Sequence, residues 1–462
     1  MLIFQSTWRS VVLVGGESAL IAGAVAAGSY LHLGGDWPAT LAGVGLLRAL
    51  LVVVVCQMCL YYLDLYEWRA TSDAREMVVC LCRAVGAASV VLAVVYFWFP
   101  GLVIGRGVFL YSAVISVVAL AVWRQLFRVF TDNMAPRERL LLVGIGASAV
   151  DLARELIDRR HELGVEIVGF VDPDPTRVGA PSFDPGIVGT VGDIPELIVR
   201  LKADRVVVSL SDARGKLPME QLLGIRMQSG VTFDHLASVY EEYTGKIAVE
   251  NLRPSWLIFA SGFKKTRTLR WLKRTFDLGL VCVGGVAALP LMALAAVLVR
   301  LSSPGPILYH QERVGLNGRI FKVHKFRTMR QDAEAESGPV WSGENDPRVT
   351  VTGRLMRRTR LDEMPQLWNV LRGEMSFVGP RPERPSFVTQ LTAEIPFYGQ
   401  RHVVKPGLTG WAQVRYTYGA SVEDAIQKLQ YDLYYIKNLS LALDLAIVLE
   451  TVKTVLMRRG AR

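Results

Sequence analysis

The sequence predicts a membrane protein of mixed class. A four-helix transmembrane bundle comes first, then a cytoplasmic Rossmann-like α/β domain, then a C-terminal α+β domain holding a re-entrant membrane helix. Three observations carry that prediction. Four apolar runs, at about 10–33, 41–65, 78–99 and 107–130, are each long enough to span ~30 Å of hydrocarbon as a helix. After residue 137, apolar runs of strand length alternate with helical stretches, the grammar of a parallel sheet. A fifth apolar run, about 275–300, carries basic clusters on both flanks and Pro290 near its middle. The three parts are expected at 1–133, 137–255 and 266–462.

Charge orients the first four spans. Arg9 precedes the first, Asp36 lies in the next loop, Arg69, Arg75 and Arg83 surround the following one, and Arg124, Arg128, Arg137 and Arg139 close the last. By the positive-inside rule both ends of the bundle face the cytoplasm, with Arg48 and Arg106 on the opposite side. The first run leads straight into others and lacks the pattern of a cleavable signal. The spans carry few polar groups, as an anchor or assembly module would. All five cysteines (Cys56, Cys59, Cys80, Cys82, Cys282) lie inside apolar runs. The Cys56-x-x-Cys59 spacing has no His or Cys partners, so these read as packing or lipid-facing thiols in a reducing compartment. Half of the chain is hydrophobic (51%) and the formal net charge is +10. That pairing points to an anionic membrane surface and phosphorylated substrates, with no nucleic acid expected.

In the second part, residues 139–144 read as a buried strand, followed by Gly144-Ile-Gly146-Ala-Ser-Ala149 and a helix to about 163. A second strand, Val165–Val171, ends in Asp172-Pro-Asp174-Pro, and a third follows at Arg205–Leu210. Gly144, Gly146 and Asp172 stand where a dinucleotide turn and its ribose-binding acid would be; the plainer reading is glycines that make a tight turn. Asp172 and Asp174, flanked by prolines, suit a surface turn better than a metal pair.

A basic linker (Lys264, Lys265, Arg267, Arg270, Lys273, Arg274) leads into the fifth run, and Arg300, Arg313, Arg319, Lys322, Lys325 and Arg327 follow it. Crossing the membrane would put one basic cluster outside, against the charge rule. Pro290 removes a helix hydrogen bond and favours a kink. A helix that enters, breaks at Pro290 and returns to the same face satisfies both facts, provided the break is short. Arg274 and Asp277, spaced i, i+3, are expected to pair at the entry point.

Beyond Ser303-Pro-Gly-Pro306, two strands (Ile307–Arg313 and Arg319–Arg327) flank an Asn317-Gly318 hairpin turn. Alternation puts Lys325 and Arg327 on one face, where they could clamp a diphosphate or merely protect an edge strand. Next comes Arg357-Arg358-Thr-Arg360-Leu-Asp362-Glu363-Met-Pro365, with Pro365 suited to a first helical turn and Gly373 to its end. Asp362 could be only a cap and Glu363 only a dipole partner. A cap needs no cluster of cations, however, and Arg357, Arg358, Arg360, Arg381 and Arg384 stand close in sequence. Adjacent carboxylates there could act together on a phosphate, one attacking phosphorus and the other holding Mg²⁺. The tail, about 421–457, has Tyr431, Tyr434 and Tyr435 and then an apolar run broken by Asp444, Glu450 and Lys453; it reads as an interfacial helix, or else as a packed amphipathic one.

Residues from about 271 to 460 closely resemble the bacterial monotopic phosphoglycosyl transferases. The matching pieces are Lys273-Arg274-x-x-Asp277, Pro304-Gly-Pro306, Gln311-x-Arg313-x-Gly315, Lys325-Phe-Arg327-Thr-Met329, Leu361-Asp362-Glu363-x-Pro365-Gln366, Ser376-Phe-Val-Gly-Pro-Arg-Pro382 and Lys405-Pro-Gly-Leu-Thr-Gly-Trp-Ala-Gln413. One departure is Thr328, where many members have Ser. The front half looks like the long-form members. The resemblance implies a C-terminal catalytic domain that transfers sugar-1-phosphate from a UDP-sugar to undecaprenyl phosphate and releases UMP. It implies Asp362 as nucleophile, Glu363 as Mg²⁺ ligand, and Lys325, Arg327, Arg381, Arg313 and Lys405 as phosphate- or substrate-binding cations. The expected setting is the bacterial inner membrane, multi-pass, with the catalytic domain cytoplasmic, a homodimer, and a role in exopolysaccharide or capsule assembly. Two rivals remain: a membrane-anchored NAD-dependent dehydratase, and a non-catalytic scaffold or nucleotide sensor. The first needs a Tyr-x-x-x-Lys pair, and no lysine of the chain has a tyrosine four residues before it.

Overall fold

Runs of Leu, Val and Ala without internal proline form four long helices: α1 (Trp8–Leu33), α2 (Val44–Tyr62), α3 (Ala74–Trp98) and α4 (Arg106–Asn133). The computed structural model describes residues 8–34, 44–66, 74–133, 137–179, 185–209, 219–228, 230–249, 262–263, 265–330, 346, 348–416, 419 and 421–457. Asp36, Arg69, Leu210, Lys264 and the end of the 137–255 region lie outside them. The chain divides into two compact units, Met1–Leu236 and Ala237–Arg462.

In the first unit α1 lies against α2 and α4, and α3 against α2 and α4. Ile21, Leu60, Leu81, Leu92 and Leu120 form the core between them. A Cβ on Gly28 would stand 2.6 Å from the Ser112 hydroxyl and 2.9 Å from the Val108 carbonyl, so α1 and α4 approach closely only because Gly28 has none. The spans are less purely apolar than their sequence suggests. Glu17 is fully buried and accepts from Arg124 at 2.6 Å, while Arg124 also donates to the Leu65 carbonyl at 2.6 Å. The Tyr66 hydroxyl lies between Glu17 and Gln57. Charges at that depth persist only when paired.

The same unit holds a five-stranded parallel sheet in the order β3-β2-β1-β4-β5. Its strands are β1 (Glu138–Val143), β2 (Val165–Val171), β3 (Ile187–Gly189), β4 (Arg205–Val208) and β5 (Thr232–His235). The helices between them are α5 (Ala147–Asp158), α6 (Ile194–Leu201) and α7 (Met219–Gln228). This order, reversing at β1, is that of a doubly wound domain. Leu140, Leu141, Leu142 and Val143 are all fully buried, as a central strand covered on both faces must be.

The second unit begins with α8 (Leu236–Thr244), whose Glu241 accepts from Lys437 at 2.5 Å and Asn438 at 2.9 Å. The Trp411 indole donates to the Gly245 carbonyl at 2.9 Å. Helix α9 (Arg267–Ser302) is the fifth helix, among the described residues, long and apolar enough to cross a membrane. Both of its ends are fastened to the rest of the unit. Near the start, Asp277 (2% exposed) accepts from the Ser376 hydroxyl at 2.8 Å and from the Phe377 amide at 3.1 Å. Lys273 donates to Asp444 at 2.7 Å and to the Val378 carbonyl at 3.1 Å. Near the end, Ala295 and Val299 pack against Phe326 and Met356. Between the anchors, Val283, Val286, Leu289, Leu291 and Leu294 are exposed apolar surface.

Two expectations for this helix need correcting. The helix carries no loop at Pro290: α9 is helical through it, and Pro290 only deprives the Val286 carbonyl of its donor. Arg274 does not pair with Asp277. It donates instead to the carbonyls of Val370 and Leu371, at 2.6 and 2.8 Å, in the last turn of another helix, where carbonyls run short of intrahelical donors.

The hairpin forms as read, β6 (Leu308–Val314) pairing antiparallel with β7 (Ile320–Phe326). Asn317 and Gly318 take φ of 54° and 78°, the handedness a tight hairpin turn demands. Further on stand α10 (Val351–Thr359), α11 (Leu367–Arg372), β8 (Ser376–Val378), α12 (Pro385–Glu394), β9 (Gly407–Thr409) and α13 (Trp411–Arg415). The tail is two packed helices, α14 (Val422–Lys437) and α15 (Leu441–Leu456), the second of the two readings that its sequence allowed. Leu429, Leu433, Tyr435, Ile436, Leu443 and Ile447 are buried, and the Tyr435 hydroxyl donates to Asp444 at 2.8 Å.

Asp277→Ala leaves Ser376 and Phe377 without their acceptor and Lys273 with one carboxylate fewer. We predict a loss of about 3–5 kcal/mol, the usual cost of breaking a buried charged contact, read as a lower unfolding midpoint in detergent. Asp277→Asn, which keeps an acceptor, should lose less; equal midpoints for wild type and Asp277→Ala would refute the anchoring role.

Candidate active site

Helix α10 ends at Arg360, held in the left-handed region at φ 59°, an uncommon place for a side-chain-bearing residue. A 3₁₀ turn, Leu361–Gln366, then runs into α11, which stops at Gly373 with φ 80°. Asp362 and Glu363 therefore sit in the turn that opens a helix, each 8% exposed. The cap position of that turn is Arg360, whose side chain makes no cap bond. Asp362 Oδ1 is buried and has no hydrogen-bond partner.

Glu363 is the opposite case. Arg381 donates to its Oε1 at 2.6 Å and approaches Oε2 at 3.4 Å. Lys325 stands 3.4 Å away and Arg360 3.9 Å. The two carboxyls are driven apart accordingly. Burial and then the neighbouring Glu363 charge raise the Asp362 carboxyl above the usual range, and Lys325 and Arg357 only partly offset this. Burial would raise Glu363 too, but Arg381 and Lys325 overcome it and hold Glu363 far below that range. The two adjacent acids thus differ in setting: Glu363 is a charge fixed among cations, and Asp362 is a buried carboxyl whose Oδ1 lacks a partner.

Three elements bring the cations in. Lys325 comes from β7, opposite Tyr309. Arg381 follows β8, which pairs in parallel with β9. That pair is unusually tight: a Cβ on Gly407 would lie 2.1 Å from the Gly379 amide nitrogen, so only glycine fits. Arg401 then braces the Arg381 backbone, donating to its carbonyl at 3.1 Å while bonded to buried Asp432 at 2.7 Å.

The remaining cations named from sequence take other places. Arg327 lies one residue past the end of β7 at Phe326, where strand alternation no longer sets its face. The Arg327 guanidinium donates to the Ser303 and Pro304 carbonyls, both at 2.7 Å, and fastens the exit of α9. Arg313 bonds Gln311 at 2.6 Å and the Pro382 carbonyl at 2.9 Å, supporting the loop that carries Arg381. Lys405 lies among Lys273, Arg274 and Asp277. In the α/β domain Gly144 adopts φ 97° and Gly146 starts α5 without a side-chain cap, the geometry of a tight turn. Asp172 accepts from the Asp174 amide at 2.8 Å, and Asp174 from Thr176, so both acids serve the turn there.

Sequence reading quoted Gln366 at the end of the Leu361–Gln366 motif but gave it no role. It is 3% exposed, shares the 3₁₀ turn with both acids, and has a buried amide nitrogen without a partner. In a 3₁₀ turn residues three apart eclipse, which puts Gln366 on the Glu363 side. Its position three residues beyond Glu363 was the available signal.

Among the described residues no group of three or more His, Cys, Asp and Glu is placed to hold a metal. The oxygen donors there are the unpartnered Asp362 Oδ1 and the Glu363 carboxylate, already bonded to Arg381; carboxylate oxygens are the ligand type a hard ion such as Mg²⁺ takes.

Residues 268–458 match the family model described as bacterial sugar transferase, and residues 61–217 one described as a CoA-binding domain. The chain is 33% identical over 452 residues to the UDP-glucose:undecaprenyl-phosphate glucose-1-phosphate transferase of Xanthomonas campestris pv. campestris, covering 94% of this chain and 91% of that one. It is 32% identical over 432 residues to the protein of the same description in Escherichia coli (strain K12), covering 88% of each. A UDP-N-acetylgalactosamine-undecaprenyl-phosphate N-acetylgalactosaminephosphotransferase of Aeromonas hydrophila is 39% identical over 262 residues, 57% of this chain and 61% of that relative.

A buried amide with an unpaired donor costs about 1–3 kcal/mol. Gln366→Met keeps the volume and removes that cost, so its unfolding midpoint is predicted to exceed the wild-type value by a few degrees. An unchanged or lower midpoint would mean that Gln366 already has its partners within the fold.

Proposed function

Because the chain belongs to the bacterial sugar transferase family, we propose that it transfers a sugar-1-phosphate from a UDP-sugar to undecaprenyl phosphate, releasing UMP. The group passes through a covalent phosphosugar ester on Asp362. The observation that carries this reading is the contrast within one turn: a Glu363 ringed by Arg381, Lys325 and Arg360, beside an Asp362 whose Oδ1 is buried and unpartnered.

In the first half-reaction an Asp362 oxygen attacks the β-phosphorus of the donor. The bond from that phosphorus to the bridging oxygen breaks, and UMP leaves with the bond's electron pair. Lys325 and Arg381 stand where they can offset the negative charge of the diphosphate. In the second half-reaction an oxygen of undecaprenyl phosphate attacks the same phosphorus and expels the Asp362 carboxylate, leaving the sugar on a diphosphate-linked lipid. Mg²⁺, held through Glu363 and the substrate phosphates, would supply further charge neutralisation. The same cations keep Glu363 ionised, so the unpartnered Asp362 is left as the nucleophile of the pair.

The setting is the cytoplasmic face of the bacterial inner membrane, where the product starts exopolysaccharide repeat-unit assembly. The four N-terminal helices form the transmembrane bundle, and α9 is the re-entrant element. Its apolar middle is exposed while both ends are bonded to one domain, and basic residues flank it on both sides. A helix returning at a bend around Pro290 leaves both flanks in the cytoplasm.

The test is UMP release by detergent-solubilised protein with Mg²⁺, undecaprenyl phosphate and a panel of UDP-glucose, UDP-galactose and UDP-N-acetylgalactosamine. Release with at least one donor is expected, dependent on both metal and lipid. Asp362→Asn should abolish it without lowering the unfolding midpoint, since it removes a buried, poorly partnered acid; near-normal turnover in that variant would sink the covalent mechanism. The pH dependence has a definite sign. A carboxyl whose folded pKa is raised keeps its proton to higher pH, so the wild-type rate should rise with pH across a limb above the ordinary aspartate range. A rate flat from pH 4.5 to 8 would contradict an Asp362 nucleophile.

A further inference from the structure

Lys405 stands apart from the dyad, and its surroundings suit another anion. Its ammonium and the Arg274 guanidinium meet over Gly373: a Cβ built there would be 3.4 Å from Lys405 Nζ and 3.6 Å from Arg274 Nη2. With φ 80°, Gly373 ends α11, and its missing side chain keeps the space between the two cations open. The charges around that space do not balance. Lys273, Arg274 and Lys405 face Asp277 and Asp444. Asp277 is taken by Ser376 and Phe377, and Asp444 by Lys273 and Tyr435. Lys405 has no hydrogen bond or ion pair within the described residues. Burial and Arg274 hold its ammonium below the usual lysine range, as expected for a cation short of an anion.

The rim of this space has the composition of a membrane interface. One turn before Arg274 stand Trp271, 67% exposed, and Leu272; on α11, Trp368 is 54% exposed and Leu371 is exposed as well. The Arg372 guanidinium lies over the Trp368 ring, 5.6 Å from its centre. Aromatic rings and cations together at the mouth of an apolar helix mark the depth of lipid phosphates. Arg274 already donates one hydrogen bond from each terminal nitrogen to the Val370 and Leu371 carbonyls, so toward a phosphate the guanidinium offers its charge and its remaining N–H donors, and the Lys405 ammonium a point charge.

We infer that Lys405 and Arg274, over Gly373, form a binding site for the phosphate of a membrane lipid, separate from the Asp362–Glu363 turn. Two sources share that chemistry, the headgroup of an anionic phospholipid and the phosphate of the polyprenyl acceptor. The inference rests on the membrane placement of α9 proposed above and not on turnover.

Full-length protein in phosphatidylcholine nanodiscs, doped separately with phosphatidylglycerol or undecaprenyl phosphate, tests it by native mass spectrometry of retained lipid. Lys405→Met is expected to weaken retention of a lipid phosphate about ten-fold, the scale of one charge-assisted contact, and Lys405→Arg to preserve it. Loss confined to phosphatidylglycerol assigns the site to the bulk headgroup; loss confined to undecaprenyl phosphate assigns it to the acceptor. Unchanged retention of both lipids by folded Lys405→Met overturns the site. Wild-type protein that retains lipid but releases no UMP would sink the transferase reading and leave this one standing.

Discussion

One buried carboxylate connects the apolar helix to the chemistry. Asp277, within α9, accepts from Ser376 and Phe377, the first residues of β8. That strand leads within a few residues to Arg381, which binds Glu363. Helix register, strand position and the cation on the dyad are thus coupled through hydrogen bonds to a charged group, which are stronger and more directional than neutral ones. Lys273 and Asp444 continue the link into α15, and Arg327 closes it at the other end of α9 through Ser303 and Pro304. The cost of burying these charges is offset because each carboxylate has several donors.

The same economy of partners explains the turn at Asp362. A fold that satisfies Asp277, Asp444 and Asp432 with donors leaves Asp362 Oδ1 without a donor and the Gln366 amide nitrogen without an acceptor. A buried polar atom without a partner is completed by water, by an ion or by a ligand, or else costs stability. The strained Arg360, at the junction of α10 and the 3₁₀ turn, belongs to the same pattern, since backbone strain collects where function fixes geometry. Stability and reactivity are therefore set against each other within six residues.

Legibility differed between the parts for physical reasons. The hairpin could be read because Asn317-Gly318 has few alternatives to a tight turn, and the sheet because Leu140–Val143 can be buried on both faces only in a central strand. The carbonyl partners of Arg327 were not legible because alternation sets a face only within the strand, which ends at Phe326. Arg274 was misjudged because i, i+3 spacing shows who is near within a helix and not which carbonyls elsewhere lack donors. The Glu17–Arg124 pair escaped notice because its members are more than a hundred residues apart.

By itself, the sequence determined the elements and the chemistry of the candidate turn. Hydrophobic period, proline and glycine positions and the order of motifs are local properties, and local sterics suffice to fix them. Tertiary structure decided the partnerships: that Arg381 and Lys325 meet Glu363, that Arg327 serves the exit of α9, that Lys405 faces Arg274 over Gly373, and that the tail helices are core. A long cationic side chain can reach many acceptors, and which one it takes depends on what the rest of the fold leaves unsatisfied.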